Sequence, residues 1–224
     1  MRSSRLTLYS SLRFDAIQFK RRLAPENTAP ESRNTRDMNA LNVIAICGSL
    51  RAQSINHMLL RAVVQLAPER MSVSLYNGMR GLPLFNPDLE PDMPAVVQEL
   101  RDAVMQSDAV IIASPEYAHG VSGVMKNALD WLVSDERFLG KPVALLSSSP
   151  HSRYADAALR ETLVTMSARI VDSASVAVQV RGTGMNEDDI LRHVEISTAL
   201  RAALIALEVA VGSGLSHAPT RQTH

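Results

Sequence analysis

Polar side chains suited to binding an anion are concentrated after the first strongly apolar stretch of the chain. Ser49, Ser54 and Asn56 offer hydrogen-bonding groups there, and Arg51 supplies a full positive charge. Because a helix is predicted from Ile55, its first N–H groups and the positive end of its dipole also face this segment. The segment lacks Gly-Lys-Ser/Thr and G-x-G-x-x-G, so a single phosphate carrying a large group suits it better than a triphosphate or a pyrophosphate. The alternative is an ordinary strand–helix turn with Ser54 as the helix cap.

A second segment, S-P-E-Y-A-H-G, has the composition of a surface for a planar ring. Pro115 stiffens it, Tyr117 offers a flat aromatic face, and Gly120 lets the backbone approach a neighbouring group closely. Glu116 and Ala118 complete the turn, and we expect Glu116 to serve structure rather than acid catalysis. A rigid loop with exposed amides and an aromatic side chain is what holding a planar heterocycle requires.

Alternating strand and helix patterns would place these segments at one edge of a sheet. The predicted strands are Asn42–Cys47, Met71–Tyr76, Asp108–Ala113, Pro142–Leu146 and a segment within Ile170–Val180. The predicted helices are Ile55–Leu66, Ala95–Gln106, Gly120–Val133, Ala155–Ala168 and Glu187–Val211. This order predicts an α/β fold, a doubly wound five-stranded parallel sheet with helices on both faces. Ligands of such sheets bind outside the carboxyl ends of the strands.

Taken together, the two loops resemble those of a known family. G-S-L-R-x-x-S-x-N-x-x-L at 48–59 and S-P-E-Y-x-x-G-x-x-G-x-x-K-N-A-L-D-W at 114–131 are similar to the NADPH-dependent FMN reductases, which include flavodoxin-like quinone, azo-dye and chromate reductases. The resemblance covers roughly residues 41–180 and implies a flavodoxin-like fold with FMN as cofactor and NADPH or NADH as co-substrate. It implies that the phosphate lies at Ser49, Arg51, Ser54, Ile55 and Asn56. It further implies that the isoalloxazine ring lies at Pro115, Glu116, Tyr117, Ala118 and Gly120.

The loop after the fourth predicted strand departs from this family. Similar proteins have a glycine-rich turn there, whereas this chain places Arg153 and Tyr154 in that region. Ser147, Ser148 and Ser149 can still donate hydrogen bonds to the flavin edge. Tyr154 either stacks on the cofactor or is an ordinary surface tyrosine.

Two functions from different classes follow from the resemblance. The first is an enzyme in which FMN, reduced by NAD(P)H, passes electrons to a small acceptor such as a quinone, a free flavin, an azo compound or a metal oxyanion. The second is an FMN-binding electron carrier or redox sensor, in which the altered fourth loop blocks the nicotinamide. Hydride transfer needs no protein acid or base, and the sequence offers no convincing catalytic pair.

Composition limits the other possibilities. The formal net charge is zero, which gives no reason to expect nucleic acid or a membrane as a partner. The single cysteine, Cys47, excludes an internal disulfide and fits a cytoplasmic protein, and no histidine or cysteine spacing indicates a metal site. The last predicted helix carries an apolar face, Leu200, Ala203, Leu204, Leu207 and Val211, which fits either a homodimer or homotetramer interface or a covered core helix.

The two ends of the chain differ from its middle. Residues 1–38 are rich in arginine and serine and are expected to be a disordered or non-native extension, with a targeting peptide as the alternative. The flavin-binding domain is expected over 39–212, followed by a disordered tail over 213–224.

Overall fold

The computed structural model describes residues 40–180 and 185–215, except for the side chains of the last two. The predicted extension at 1–38 and most of the predicted tail at 213–224 lie outside the described residues. Within those ranges there are eight strands: β1 (Leu41–Cys47), β2 (Met71–Leu75), β3 (Ala109–Ala113), β4 (Glu116–Tyr117), β5 (Gly120–Val121), β6 (Pro142–Ser147), β7 (Arg169–Ile170) and β8 (Val176–Ala177). The described α-helices are α1 (Ile55–Leu66), α2 (Ala95–Met105), α3 (Gly123–Leu132), α4 (Arg153–Thr165), α5 (Glu187–Arg192) and α6 (Val194–Leu215).

The main sheet is parallel and has the order β2-β1-β3-β6-β7, with β8 also paired to β6. It has five strand positions, and the order reverses on either side of β1, which confirms the predicted flavodoxin-like, doubly wound arrangement. Because β1, β3 and β6 are adjacent and parallel, the loops that follow them meet at one edge of the sheet.

Helices cover both faces of this sheet, as predicted. One buried cluster joins α1 and α6 to side chains such as Val43 and Ile111. The other joins α2, α3 and α4 to the opposite side chains, such as Ile44 and Ile112. The central strands are therefore buried on both faces, which is why their sequences are almost continuously apolar.

Three predicted elements differ in detail. The fifth strand is split into β7 and β8, separated by a 3₁₀ turn at Asp172–Ala174, because both short pieces pair with β6. The last predicted helix is broken at His193 into α5 and α6. The third predicted helix begins at Gly123 rather than Gly120, because residues 116–121 form a small hairpin.

The apolar face of the last helix belongs to the core. Leu200, Leu204 and Leu207 are buried against α1 and the sheet, and Trp131, at the end of α3, is buried as well. Of the two readings of this face, the structure therefore supports the covered core helix. No helix in the described ranges combines the length and apolar character needed to cross a membrane.

Candidate cofactor-binding site

The loop between β1 and α1, residues 48–54, places buried polar groups at the start of a helix. Ser49, Ser54 and Asn56 are all at least 95% buried, although they lie at the edge of the sheet. Ser54 is the N-cap residue of α1 but its side chain does not cap the helix. An α-helix leaves its first N–H groups without partners inside the helix, and here no side chain caps them. The loop therefore offers an uncapped helix end beside buried hydroxyl and amide groups, which is an arrangement suited to an anion.

The hydroxyl of Ser54 is directed to the cysteine instead. Burial raises the pKa of the Cys47 thiol, while hydrogen bonds from the Ser49 backbone and the Ser54 side chain oppose that shift. A buried thiol with a raised pKa stays protonated at neutral pH. Cys47 is therefore a core residue below the loop and not a nucleophile.

Two side chains hold this first loop from outside. Nε2 of His57 lies 3.0 Å from the carbonyl oxygen of Ser49, and Nη2 of Arg80 donates to the carbonyl oxygen of Leu50 at 2.8 Å. Arg51 is exposed, and its backbone N–H lies 3.4 Å from Oγ of Ser49. Sequence reasoning missed both outer contacts. A signal was available for Arg80 alone, because the segment after β2 lies beside the segment after β1.

A hydrogen-bonded contact joins the first loop to the loop after β3. Oγ of Ser122 donates to the carbonyl oxygen of Gly48 at 2.6 Å and also accepts from the N–H of Met125, so it caps α3. A Cβ at Gly48 would lie 2.8 Å from Cβ of Ser114 and 3.0 Å from Oγ of Ser122. Glycine is therefore required at this position by the close approach of the two loops. Ser122, like His57, was not among the predicted site residues.

The loop after β3 forms the β4–β5 hairpin, with a strained two-residue turn. Ala118 and His119 have φ angles of 48° and 59°, in the left-handed region that non-glycine residues rarely adopt. Each such residue costs on the order of 1–3 kcal/mol, and this kind of strain is concentrated at binding sites. The turn exposes 54% of Tyr117, and a Cβ at Gly120 would meet only the Tyr117 carbonyl oxygen, at 3.6 Å. The space beside Gly120 is therefore open to another molecule.

Glu116 connects the hairpin to the loop after β6. Its Oε2 accepts hydrogen bonds from the N–H groups of Tyr154 and Ala155, at 3.0 and 2.9 Å. These N–H groups belong to the first turn of α4, whose N-cap residue, Ser152, provides no side-chain cap. The carboxylate thus caps a helix from another loop, which is a structural role.

Tyr154, at the start of α4 and next to the fourth loop (residues 148–152), also contacts the hairpin through its side chain. The rings of Tyr154 and His119 are stacked with centroids 4.2 Å apart and an interplanar angle of 21°. Tyr154 nevertheless remains 57% exposed, with much of its side chain still accessible. Tyr154 and His119 therefore form an aromatic pair between the start of α4 and the hairpin.

The three serines of this region differ in their contacts. Oγ of Ser148 donates to Oδ1 of Asn56 at 3.2 Å, which connects the fourth loop to the first turn of α1. Ser147 and Ser149 are instead engaged with each other: Oγ of Ser147 donates to the Ser149 carbonyl oxygen and accepts from its N–H. Of the three, Ser148 is the one whose side chain contacts the start of α1.

The second half of the third-loop motif does not reach this edge of the sheet. Asn127 and Trp131 both donate to the carbonyl oxygen of Pro83, and Asn127 also accepts from the N–H of Phe85. They fasten the proline-rich segment 82–89 to α3. Lys126 forms an exposed ion pair with Asp130, one helical turn along. These positions of the motif are therefore structural.

A cavity of about 250 Å³ adjoins the site, between the fourth loop, α4 and β8. Arg153 and Arg160 line it, but Arg160 is already paired with Asp156 and Asp172, at 2.8 and 2.6 Å. Across the residues that the structure describes, no group of histidine, cysteine and acidic side chains is placed to hold a metal ion.

The chain is similar to known reductases. The chain is 38% identical over 113 residues to the quinone reductase of Escherichia coli K12; this match spans 49% of the chain and 60% of that protein. It is 34% identical over 145 residues to an NAD(P)H-dependent FMN reductase of Pseudomonas aeruginosa, covering 62% of the chain and 77% of the relative.

Solved structures include similar proteins. The flavoenzyme FerB of Paracoccus denitrificans, an NAD(P)H:(acceptor) oxidoreductase, superposes with a TM-score of 0.70 at 28% identity, covering 78% of this chain and 98% of that one. Residues 41–182 match the family described as NADPH-dependent FMN reductase, and they contain all three loops of the site. The chain belongs to the NADPH-dependent FMN reductase family.

Proposed function

We propose that this protein is an FMN-containing oxidoreductase that uses NAD(P)H to reduce a small acceptor, with quinones as the first class to test. The proposal is supported by its family and by relatives described as quinone reductases and NAD(P)H-dependent FMN reductases. The chain matches 60% of the length of the first of these relatives, and that relative's activity is therefore a proposal for this chain.

The observation that carries the proposal is the uncapped start of α1 beside Ser49, Ser54 and Asn56. Together with Arg51, the only cation within the loop itself, they provide N–H groups, hydroxyls and positive charge for one phosphate monoester. This donor set fits the phosphate of FMN and is too small for a dinucleotide pyrophosphate.

The flavin ring would be held by the β4–β5 hairpin. Pro115, Tyr117, Ala118 and Gly120 form a rigid edge with open space beside it, and Glu116 fixes this edge to α4. Bound FMN supplies the redox chemistry, accepting a hydride from NAD(P)H and passing electrons to the acceptor. The residues of the chain bind and orient the cofactor, and none of those described here needs to act as an acid or base.

Anaerobic reduction tests the proposal. The purified protein, saturated with FMN, is mixed with NADPH or NADH while the flavin absorbance near 450 nm is followed, and benzoquinone is then added. Bleaching by a pyridine nucleotide, followed by reoxidation with continued turnover, supports the enzyme. A protein that binds FMN but is not reduced by either nucleotide would be a carrier or sensor, and the aromatic pair His119–Tyr154 would then be the first place to look for the obstruction.

We further propose that the protein acts in the cytoplasm as a homodimer or homotetramer. Val194, Ile205 and Val209 on α6, together with Val164 on α4, are between 55% and 75% exposed, although they are apolar. These side chains, rather than the buried face of α6, are the candidates for a subunit contact. Light scattering coupled to gel filtration measures the mass directly, and a monomer at micromolar concentration would contradict the proposal.

A further inference from the structure

We infer that His57 and Arg80 are positioning residues for the cofactor phosphate: they orient the peptide groups of the first loop from behind. This inference rests on the proposed FMN site and extends it to His57, at an unspecified position of the first motif, and to Arg80, which lies outside both motifs. Neither side chain needs to touch the phosphate in order to orient these peptide groups.

Two neighbouring carbonyl groups of the first loop are each held by a side chain. The carbonyl oxygens of Ser49 and Leu50 are consecutive acceptors, and each is bound by a side chain from a different element. His57 lies in the first turn of α1, while Arg80 lies in the 3₁₀ turn after β2, 30 positions from Leu50. Without these donors, two adjacent carbonyl oxygens would lie free beside the proposed anion site, where their negative ends repel a phosphate.

Because a peptide group is planar, fixing its carbonyl oxygen also fixes the direction of its N–H. The described residues contain no cis peptide bond, so the C=O and N–H of each peptide group point to opposite sides. Fixing the Ser49 carbonyl towards His57 therefore directs the N–H of Leu50 away from His57. Fixing the Leu50 carbonyl towards Arg80 likewise directs the N–H of Arg51 away from Arg80.

One of these N–H groups has its partner inside the loop. The N–H of Arg51 is directed at Oγ of Ser49, which is buried within the loop. When its oxygen accepts from Arg51, the Ser49 hydroxyl is left with its own hydrogen to donate. The N–H of Leu50, directed away from His57, and the hydroxyl of Ser49 therefore remain available to donate to an anion.

Charge adds a second consequence of Arg80. Both Arg80 and Arg51 are exposed, and neither forms an ion pair among the described residues. Two arginines therefore serve the first loop: Arg51, which belongs to the loop and to the sequence motif, and Arg80, which contacts the loop from the segment after β2. Arg80 contributes both a hydrogen bond to the loop and a positive potential for a dianionic phosphate.

Comparing FMN with riboflavin tests the inference, because riboflavin has the same ring and lacks the phosphate. Dissociation constants of both flavins are measured by fluorescence quenching for the wild type, His57→Ala, His57→Gln and Arg80→Ala. Arg70→Ala is the matched control, since Arg70 is an exposed arginine at the amino end of β2, the opposite edge of the sheet. Melting temperatures confirm that each variant is folded.

We expect His57→Ala and Arg80→Ala each to weaken FMN binding about threefold to tenfold, the effect of one hydrogen bond, while riboflavin binding changes less than about twofold. His57→Gln, which retains an N–H donor, should bind FMN closer to the wild type than His57→Ala does, and Arg70→Ala should change neither flavin. If one alanine variant does not fold, the other tests the same inference from a different element.

Equal losses for both flavins would show that the two residues only stabilise the loop, and unchanged FMN binding would show that they do not act on the phosphate; either result overturns the inference. A wild type that binds FMN but not preferentially over riboflavin also overturns it, leaving the flavin site intact. A wild type that binds neither flavin refutes the proposed function itself.

Discussion

Replacing Gly48 with alanine tests the packing that joins the first and third loops. The added Cβ would lie 2.8 Å from Cβ of Ser114 and 3.0 Å from Oγ of Ser122, and closer still to Oγ of Ser114. Because contacts below 3.0 Å are not tolerated, one loop must move, and overpacking of this kind costs about 1–3 kcal/mol. For a domain of this size that corresponds to a fall in melting temperature of about 2–12 °C. Thermal unfolding followed by circular dichroism measures it.

Two further variants make this prediction specific. Gly123→Ala is the control, since a Cβ there meets nothing within 4 Å and the residue lies in α3; its melting temperature should be unchanged or slightly higher. Gly48→Ala combined with Ser114→Gly removes the nearest contacts and should recover part of the loss. A Gly48→Ala variant as stable as the wild type, or a double variant no better than the single one, would refute the reasoning.

The remaining predictions concern the cofactor, a helix cap and pH. Arg51→Ala should weaken FMN binding by about 1–3 kcal/mol, measured by titration, and unchanged affinity would remove Arg51 from the site. Glu116→Ala should lower the unfolding free energy by about 0.5–2 kcal/mol in urea, with Glu116→Gln less affected, because the carboxylate caps α4; equal stability of all three would contradict that role. Burial alone would raise the pKa of Asp135, but hydrogen bonds from Arg137 lower it overall. The ionised carboxylate therefore stabilises the fold fully above the ordinary pKa of 3.8, and this stabilisation is lost as the pH falls through the lowered pKa of the folded state. The stability difference between the wild type and Asp135→Asn should therefore shrink below about pH 4, and a gap that persists in acid would contradict this assignment.

The fold could be predicted because the positions of apolar residues along the sequence match the faces of each strand and helix that are buried. Strands such as Ala109–Ala113 are covered on both faces, so every residue is apolar, and α1 shows its buried face at helical spacing. The ends of these segments located the loops of the site. The split fifth strand could not be read in the same way, because β7 and β8 are two residues each and exist through their pairing with β6.

The hairpin at residues 116–121 was missed because its turn lacks the usual signal. Two-residue hairpin turns normally contain glycine, asparagine or aspartate, whereas this one has Ala118 and His119 at positive φ. The residue types at these positions therefore disfavour the turn. Contacts with the rest of the protein stabilise it, including those of Glu116 and of Tyr154, which stacks on His119.

The supporting residues of the site depend on contacts between distant parts of the chain. Ser122 binds Gly48 across 74 positions, and Arg80 binds Leu50 across 30. Serine and arginine are common on surfaces, so neither residue type nor local spacing distinguished them. The sequence motif identified the loops that face the proposed cofactor, whereas the residues behind those loops required the tertiary structure.

The central claim is that a phosphate monoester of flavin is bound at the start of α1 and against the hairpin. The most direct measurement is the flavin content of the purified, folded protein after incubation with excess FMN and removal of the free cofactor. We expect about one FMN per chain, with a marked loss in Arg51→Ala. A folded protein that stays colourless and retains no flavin would contradict it.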